Sequence, residues 1–214
     1  MREIGLFCGT FNPIHLGHLL IAECARDQFA LEKVLFVTSP HPPHRQVGLL
    51  AGEDRHKLVE AAVASNPYFE ASRLELERTG PSYTIDTVKQ IIADGVTKVN
   101  LIIGGDNVPF LKDWHNSKEL LSLCRLLVVP RLRYLSDDHD ESVIQTIAQS
   151  DPEQVEGADI RIVDFPGIAI SASNIRKRIG LGKTVLYMVP PEVNSLIQTH
   201  CFYKSREDLN KCPK

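Results

Sequence analysis

Cysteine is scarce here and follows no pattern: Cys8, Cys24, Cys124, Cys201 and Cys212 are odd in number, irregularly spaced and never form CxxC. That argues against a structural metal ribbon or a disulfide framework and predicts reduced thiols in a cytosolic setting. No window of about 20 apolar residues occurs, so no membrane-spanning helix is expected. The opening MREIGLFCG lacks a long apolar run and a cleavage signal, so secretion is not expected either. Charge of one sign is also missing. With 24 Lys and Arg against 27 Asp and Glu the net charge is -3, which gives no bulk attraction for nucleic acid or anionic membrane. Internal repeats and low-complexity tracts are lacking as well.

What is present is ordinary globular material. The chain has 214 residues, 43% of them hydrophobic, enough for the core of one domain. Residues 3–8 read as a buried strand, 17–30 as a helix and 33–38 as a second strand. This βαβ order implies a parallel sheet. A Pro- and Gly-punctuated loop, 39–52, leads to a helix over 53–65. Residues 68–77 read as a more exposed strand and 84–94 as a helix with Thr84 as its cap. Strands over 98–106, 125–130 and 159–165, the last a mixed one, complete the sheet. Helices are expected at 118–123, 171–179 and 190–198, with a peripheral one at 139–149. The expected fold class is α/β, a doubly wound parallel sheet in a single domain spanning 1–203, followed by a flexible tail, 204–214. In such sheets ligands collect beyond the C-terminal strand ends.

The segment most suited to chemistry is Gly9-Thr10-Phe11-Asn12-Pro13-Ile14-His15-Leu16-Gly17-His18, between the first strand and the first helix. A helix start offers unpaired backbone N–H groups and a positive dipole end, both suited to phosphate. Gly9 and Gly17 leave room for a ligand to approach the backbone. His15 and His18, three apart, can share one side of a first turn. A lone histidine here would read as a capping or surface residue; the whole string reads as a phosphate cradle with two imidazoles. It is neither GxGxxG nor a Walker loop.

Four further segments support it. Ile170-Ser171-Ala172-Ser173-Asn174-Ile175-Arg176 suits a helix start capped by Ser171 or Ser173, with Arg176 a turn in, and such a group can hold a triphosphate tail. Pro42-Pro43-His44-Arg45 is a stiff loop ending in a cation. Gly80-Pro81-Ser82-Tyr83-Thr84 precedes a helix whose free N–H groups could receive a carboxylate. Gly104-Gly105-Asp106 follows a strand end, where Asp106 could accept ribose hydroxyls. Trp114, the single tryptophan, could stack on an aromatic ring or serve as core.

Together these segments resemble the HxGH nucleotidyltransferase superfamily, and within it the bacterial nicotinate-nucleotide adenylyltransferases. That family opens with GGTFDPxHxGH; here Cys8 replaces the first glycine and Asn12 the aspartate. The family's ISxTxIR is matched with Ser173 in place of threonine, its PPHK with Arg45 in place of lysine, and its PSYT is present. Arg131 corresponds to an arginine that the family follows with Pro-Gly, where this chain has Leu132-Arg133. The resemblance implies a Rossmann-like nucleotidyltransferase fold and the transfer of AMP from ATP to nicotinate mononucleotide, with Mg²⁺ carried on the triphosphate. By the same resemblance His15, His18 and Arg176 are catalytic. Gly9, Thr10, Phe11, Gly17, Gly104, Asp106, Ile170, Ser171 and Ser173 join them around ATP. Thr10, Phe11, Arg45, Tyr83, Thr84, Asp106, Trp114 and Arg131 face the pyridine mononucleotide. No metal ligands are implied in the protein itself.

Alternatives within the same chemistry are nicotinamide mononucleotide or pantetheine phosphate as acceptor; the PSYT segment and Trp114 argue against the latter. Outside it stand a non-catalytic nucleotide-binding protein and an RNA-binding role, and the acidic balance disfavours the second. Assembly as a homo-oligomer is left open by the sequence.

Overall fold

A computed structural model describes residues 2–40, 48–130 and 158–204. Its described elements run in the order β1 (Glu3–Gly9), α1 (Leu16–Gln28), β2 (Val34–Thr38), α2 (Gly52–Val63), β3 (Phe69–Ser72), α3 (Thr84–Ala93), β4 (Lys98–Gly104), a 3-10 stretch (Gly105–Asp113), α4 (Ser117–Leu123), β5 (Cys124–Val129), β6 (Ile160–Ile162), α5 (Ala172–Gly180) and α6 (Pro191–Thr199).

The strands form one sheet in the order β3-β2-β1-β4-β5-β6, with every pairing parallel. Side chains alternate across it with a period of two. Phe7, Val34, Phe36, Ile102, Leu127 and Val129 point to one face, where α1, α2, α5 and α6 cover them. Leu6, Val37, Leu101, Ile103, Leu126 and Val128 point to the other, under α3 and α4. Burial on both faces explains why these strands read as nearly unbroken apolar runs. The strand order reverses between β1 and β4, which opens a crevice at their C-terminal ends.

The doubly wound expectation holds, with local corrections. β3 covers only 69–72 of the expected 68–77, because it is an edge strand whose one neighbour, β2, is five residues long. β4 stops at Gly104, and the chain then tightens into the 3-10 stretch, which contains Pro109 and departs from the sequence expectation. The last strand is three residues and pairs parallel to β5, not mixed. Thr84 is the first residue of α3, not its cap; Tyr83 holds the cap position and makes no side-chain capping bond. Cys8, Cys24 and Cys124 are free thiols, but Cys201 is disulfide-bonded, against the expectation of uniformly reduced cysteines. The expected 139–149 helix and the tail beyond Lys204 lie outside the described residues. No helix among the described residues is long and apolar enough to cross a membrane.

Candidate functional site

The glycine loop leaves β1 at the switch point. Gly9 is a requirement of space: a Cβ there would lie 2.8 Å from the Phe11 ring. Phe11 itself holds a left-handed backbone, φ 44°, unusual for a bulky residue. Its buried ring is gripped by Phe7, Phe36 and His18, with centroids at 5.7, 5.9 and 5.2 Å. Strain of this kind persists only where packing over-determines it. The Asn12–Pro13 peptide is cis.

The two histidines meet as expected, but not as cations. His15 occupies the cap position of α1 and stacks on His18, with centroids 3.7 Å apart and planes at 21°. A Cβ on Gly17 would stand 3.0 Å from His15 Nδ1, so glycine lets the imidazole lie against the helix start. Burial lowers the His15 pKa to about 4. Burial first, and the neighbouring His15 second, push His18 well below its usual value. Both rings are therefore neutral at pH 7. His18 Nδ1 accepts the His15 amide at 3.2 Å, which leaves the proton on Nε2 as a donor. His15 Nδ1 is buried without a hydrogen-bond partner among the described residues.

The second cradle, 164 residues away in sequence, lies beside the first. Arg176 Nη1 donates to the Asn12 carbonyl at 2.8 Å, and Nη2 reaches Ser173 Oγ at 3.4 Å. Ser171, rather than Ser173, caps α5, its Oγ accepting from the Asn174 amide at 3.2 Å. Ile170, just ahead of it, packs on the first core. On the other side of the crevice, Gly104 ends β4, and a Cβ there would meet Asp106 Oδ1 at 2.5 Å. Asp106 is exposed in the first turn of the 3-10 stretch.

A cavity of about 400 Å³ opens next to the glycine loop. Thr10, Tyr83, Thr84 and Trp114 line it, as the sequence suggests, together with Cys8 and Glu75. Trp114 is half-buried: it packs on the second core and also lines the cavity. His115 stacks on Tyr83 at 4.2 Å. The buried Glu75 accepts from Thr87 Oγ1 at 2.9 Å, and that hydroxyl accepts from Arg78 Nη2 at 3.0 Å. This chain pins the segment before α3 and so fixes Tyr83 and Thr84. Burial, and then Glu75, push the Cys8 thiol well up, so it stays protonated.

Arg55 escapes a reading of the sequence, where it is one more polar residue of a helix. It is fully buried. Its guanidinium donates to four carbonyls: Thr10 at 2.6 Å, Ser39 at 2.8 Å, Pro40 at 3.0 Å and Leu50 at 3.0 Å. It thereby clamps the loops leaving β1 and β2. No ion pair among the described residues involves it, and burial lowers its pKa. The sole available signal is its place on the apolar face of α2. Pro42, Pro43, His44, Arg45 and Arg131 lie outside the described residues.

Comparison with known proteins agrees with this geometry. The profile of the Cytidylyltransferase-like family matches residues 6–178. A protein of Caldicellulosiruptor bescii named "Probable nicotinate-nucleotide adenylyltransferase" is 35% identical over 94% of this chain and 99% of its own length. One of the same name from Moorella thermoacetica is 37% identical over 96% of this chain and 94% of its own. Among solved structures, the Plasmodium falciparum nicotinic acid mononucleotide adenylyltransferase complexed with NaAD superimposes with a TM-score of 0.74 at 15% identity, covering 95% of this chain and 98% of that one, which speaks for the fold. The chain belongs to the nicotinate-nucleotide adenylyltransferases of the Cytidylyltransferase-like family.

Proposed function

We propose that this protein transfers AMP from ATP to nicotinate mononucleotide, releasing pyrophosphate and forming deamido-NAD. The observation that carries the reading is the Arg176–Asn12 bond, which joins the α5 start to the glycine loop, whose Gly9 and Thr10 line the cavity at Trp114. A phosphate oxygen of the mononucleotide attacks the α-phosphorus of ATP in line. The bond to the bridging oxygen breaks and pyrophosphate departs. The nucleophile is already ionised at pH 7, so no general base is required. The work is alignment and charge stabilisation.

In this reading His18 Nε2–H donates to the α-phosphate as charge builds, and His15 lies beside it. The α5 start with Ser171, Ser173 and Arg176 receives the outer phosphates. Gly9, Thr10, Phe11 and Gly17 wall the nucleotide, while Gly104 and Asp106 face its ribose. Arg45 and Arg131 are assigned to the mononucleotide phosphate by family resemblance alone. The first amides of α3, uncapped by the Tyr83 side chain, suit the pyridine carboxylate, and Trp114 suits the ring. Among the described residues no group of three or more His, Cys, Asp or Glu side chains could hold a metal. By family resemblance Mg²⁺ would accompany the triphosphate, where it would neutralise charge. The free Cys8, Cys24 and Cys124 suit a cytoplasmic enzyme, whereas the disulfide at Cys201 does not add to that reading.

The test is pyrophosphate release with Mg²⁺-ATP and each acceptor side by side. Nicotinate mononucleotide should exceed its amide in kcat/KM by at least about 100-fold, since a site built for a carboxylate leaves polar groups unpaired with the amide. Equal or reversed values would sink the acid assignment. ATP turnover indifferent to any acceptor would sink the transfer itself.

A further inference from the structure

The C-terminal segment reaches into the glycine loop. Tyr203, beyond α6, donates its hydroxyl to Asn12 Oδ1 at 2.9 Å, across 191 residues. Burial pushes the phenol well up, so it remains a donor at any working pH. Its backbone is left-handed, φ 65°, a conformation an aromatic residue adopts only when its surroundings hold it there.

Asn12 is the junction that makes this contact consequential. It is 4% exposed, and every polar atom of its side chain is engaged. Oδ1 also accepts from the Leu50 amide at 3.4 Å, and Nδ2 donates to the Gly48 carbonyl at 3.2 Å. Its backbone carbonyl takes Arg176 Nη1. One residue thus ties together the glycine loop, the segment 48–50 and the arginine of α5. The donation to Gly48 requires an amide, which an aspartate could not supply while ionised.

We propose that Tyr203 is a positioning residue for adenylyl transfer: its hydroxyl locks the Asn12 carboxamide, and through Asn12 it sets the placement of Arg176 against the His15–His18 cradle. The proposal rests on the adenylyl-transfer function proposed for this site. A plain packing role would call for the ring alone. The hydroxyl is aimed at the side chain whose rotation would release the 48–50 segment, and that side chain anchors the residue whose backbone carbonyl holds Arg176.

Y203F keeps the ring and removes the hydroxyl, so it tests the bond with little risk to folding. Steady-state pyrophosphate release should show kcat reduced about fivefold, the size of one net hydrogen bond, with KM for both substrates within about twofold. N12A should lower kcat further, and adding Y203F to N12A should change nothing more, because the lock has lost its partner. A Y203F enzyme of unchanged kcat and lower melting temperature would overturn the proposal and leave Tyr203 a packing residue. Losses that multiply in the double variant would overturn it too, since the two would then act independently. If the wild-type protein proves idle with nicotinate mononucleotide but active with another acceptor, the acceptor assignment fails by itself. The same cycle is then run with that acceptor, where a non-additive loss of kcat supports the lock and an unchanged or multiplying one overturns it.

Discussion

The glycine loop with its two histidines is gripped from inside the fold, while the cavity beside it is shaped at its rim. Around Gly9–His18 the deciding contacts are buried: the Phe11 ring in its aromatic cage, two stacked neutral imidazoles, Arg55 on four carbonyls, Asn12 with both polar atoms of its side chain taken. Around Tyr83 and Trp114 they are half-exposed: a Tyr83–His115 stack, a tryptophan sharing itself between core and cavity, a helix start without a side-chain cap. The difference matches two tasks. Stabilising charge on a phosphorus centre needs dipoles that do not reorganise during the reaction. Choosing an acceptor needs a surface whose contacts can be matched or mismatched.

The sharpest way to break that contrast is His18→Ala. Removing one preorganised donor from a dry site typically costs 10²- to 10³-fold in kcat, so turnover should fall about 1000-fold with the fold intact by circular dichroism. A variant within tenfold of wild type would show that the buried cradle is scaffolding and that the chemistry lies elsewhere.

A smaller effect comes from the same burial. His15 has a folded pKa of about 4 against 6.5 for a free histidine. Between those values the unfolded chain binds the extra proton, so folding stability is complete above pH 6.5 and declines as pH falls toward 4. The loss from His15 alone is about 1.6 kcal/mol between pH 6.5 and 5. Urea unfolding at the two pH values should register it, and His15→Asn should remove that part of the slope. An unchanged slope in the variant would mean that the imidazole is solvated after all.

Legibility in the sequence follows the same division. The strands are legible because burial on both faces makes them apolar runs, and the meeting of His15 with His18 beside Gly17 because it follows from local spacing. Arg55 and Tyr203 are not legible. Most of their partners lie between 15 and 191 positions away, and nothing in the neighbours of either marks it as anything but a helix arginine or a late tyrosine. The neutrality of the histidines is equally hidden, because it comes from burial by the folded environment and not from the string itself. Thr84 looks like a cap by residue type, yet the chain enters α3 one residue earlier.

On the acceptor side a single removal should cost less, and should cost it in binding. Trp114→Ala should raise KM for the mononucleotide about tenfold and leave KM for ATP within twofold, since one ring stack with its buried area is worth roughly 1–2 kcal/mol. Because Trp114 also packs on the second core, lost stability could mimic lost affinity. Trp114→Phe separates the two: a ring remains for stacking, so acceptor KM should return to within about threefold of wild type. If both variants raise the two KM values together, the tryptophan supports the fold at large and the cavity at Tyr83 is not where the acceptor ring lies. If only Trp114→Ala is impaired, and only toward the acceptor, the rim is the selective half of the site, and the buried half treats all acceptors alike.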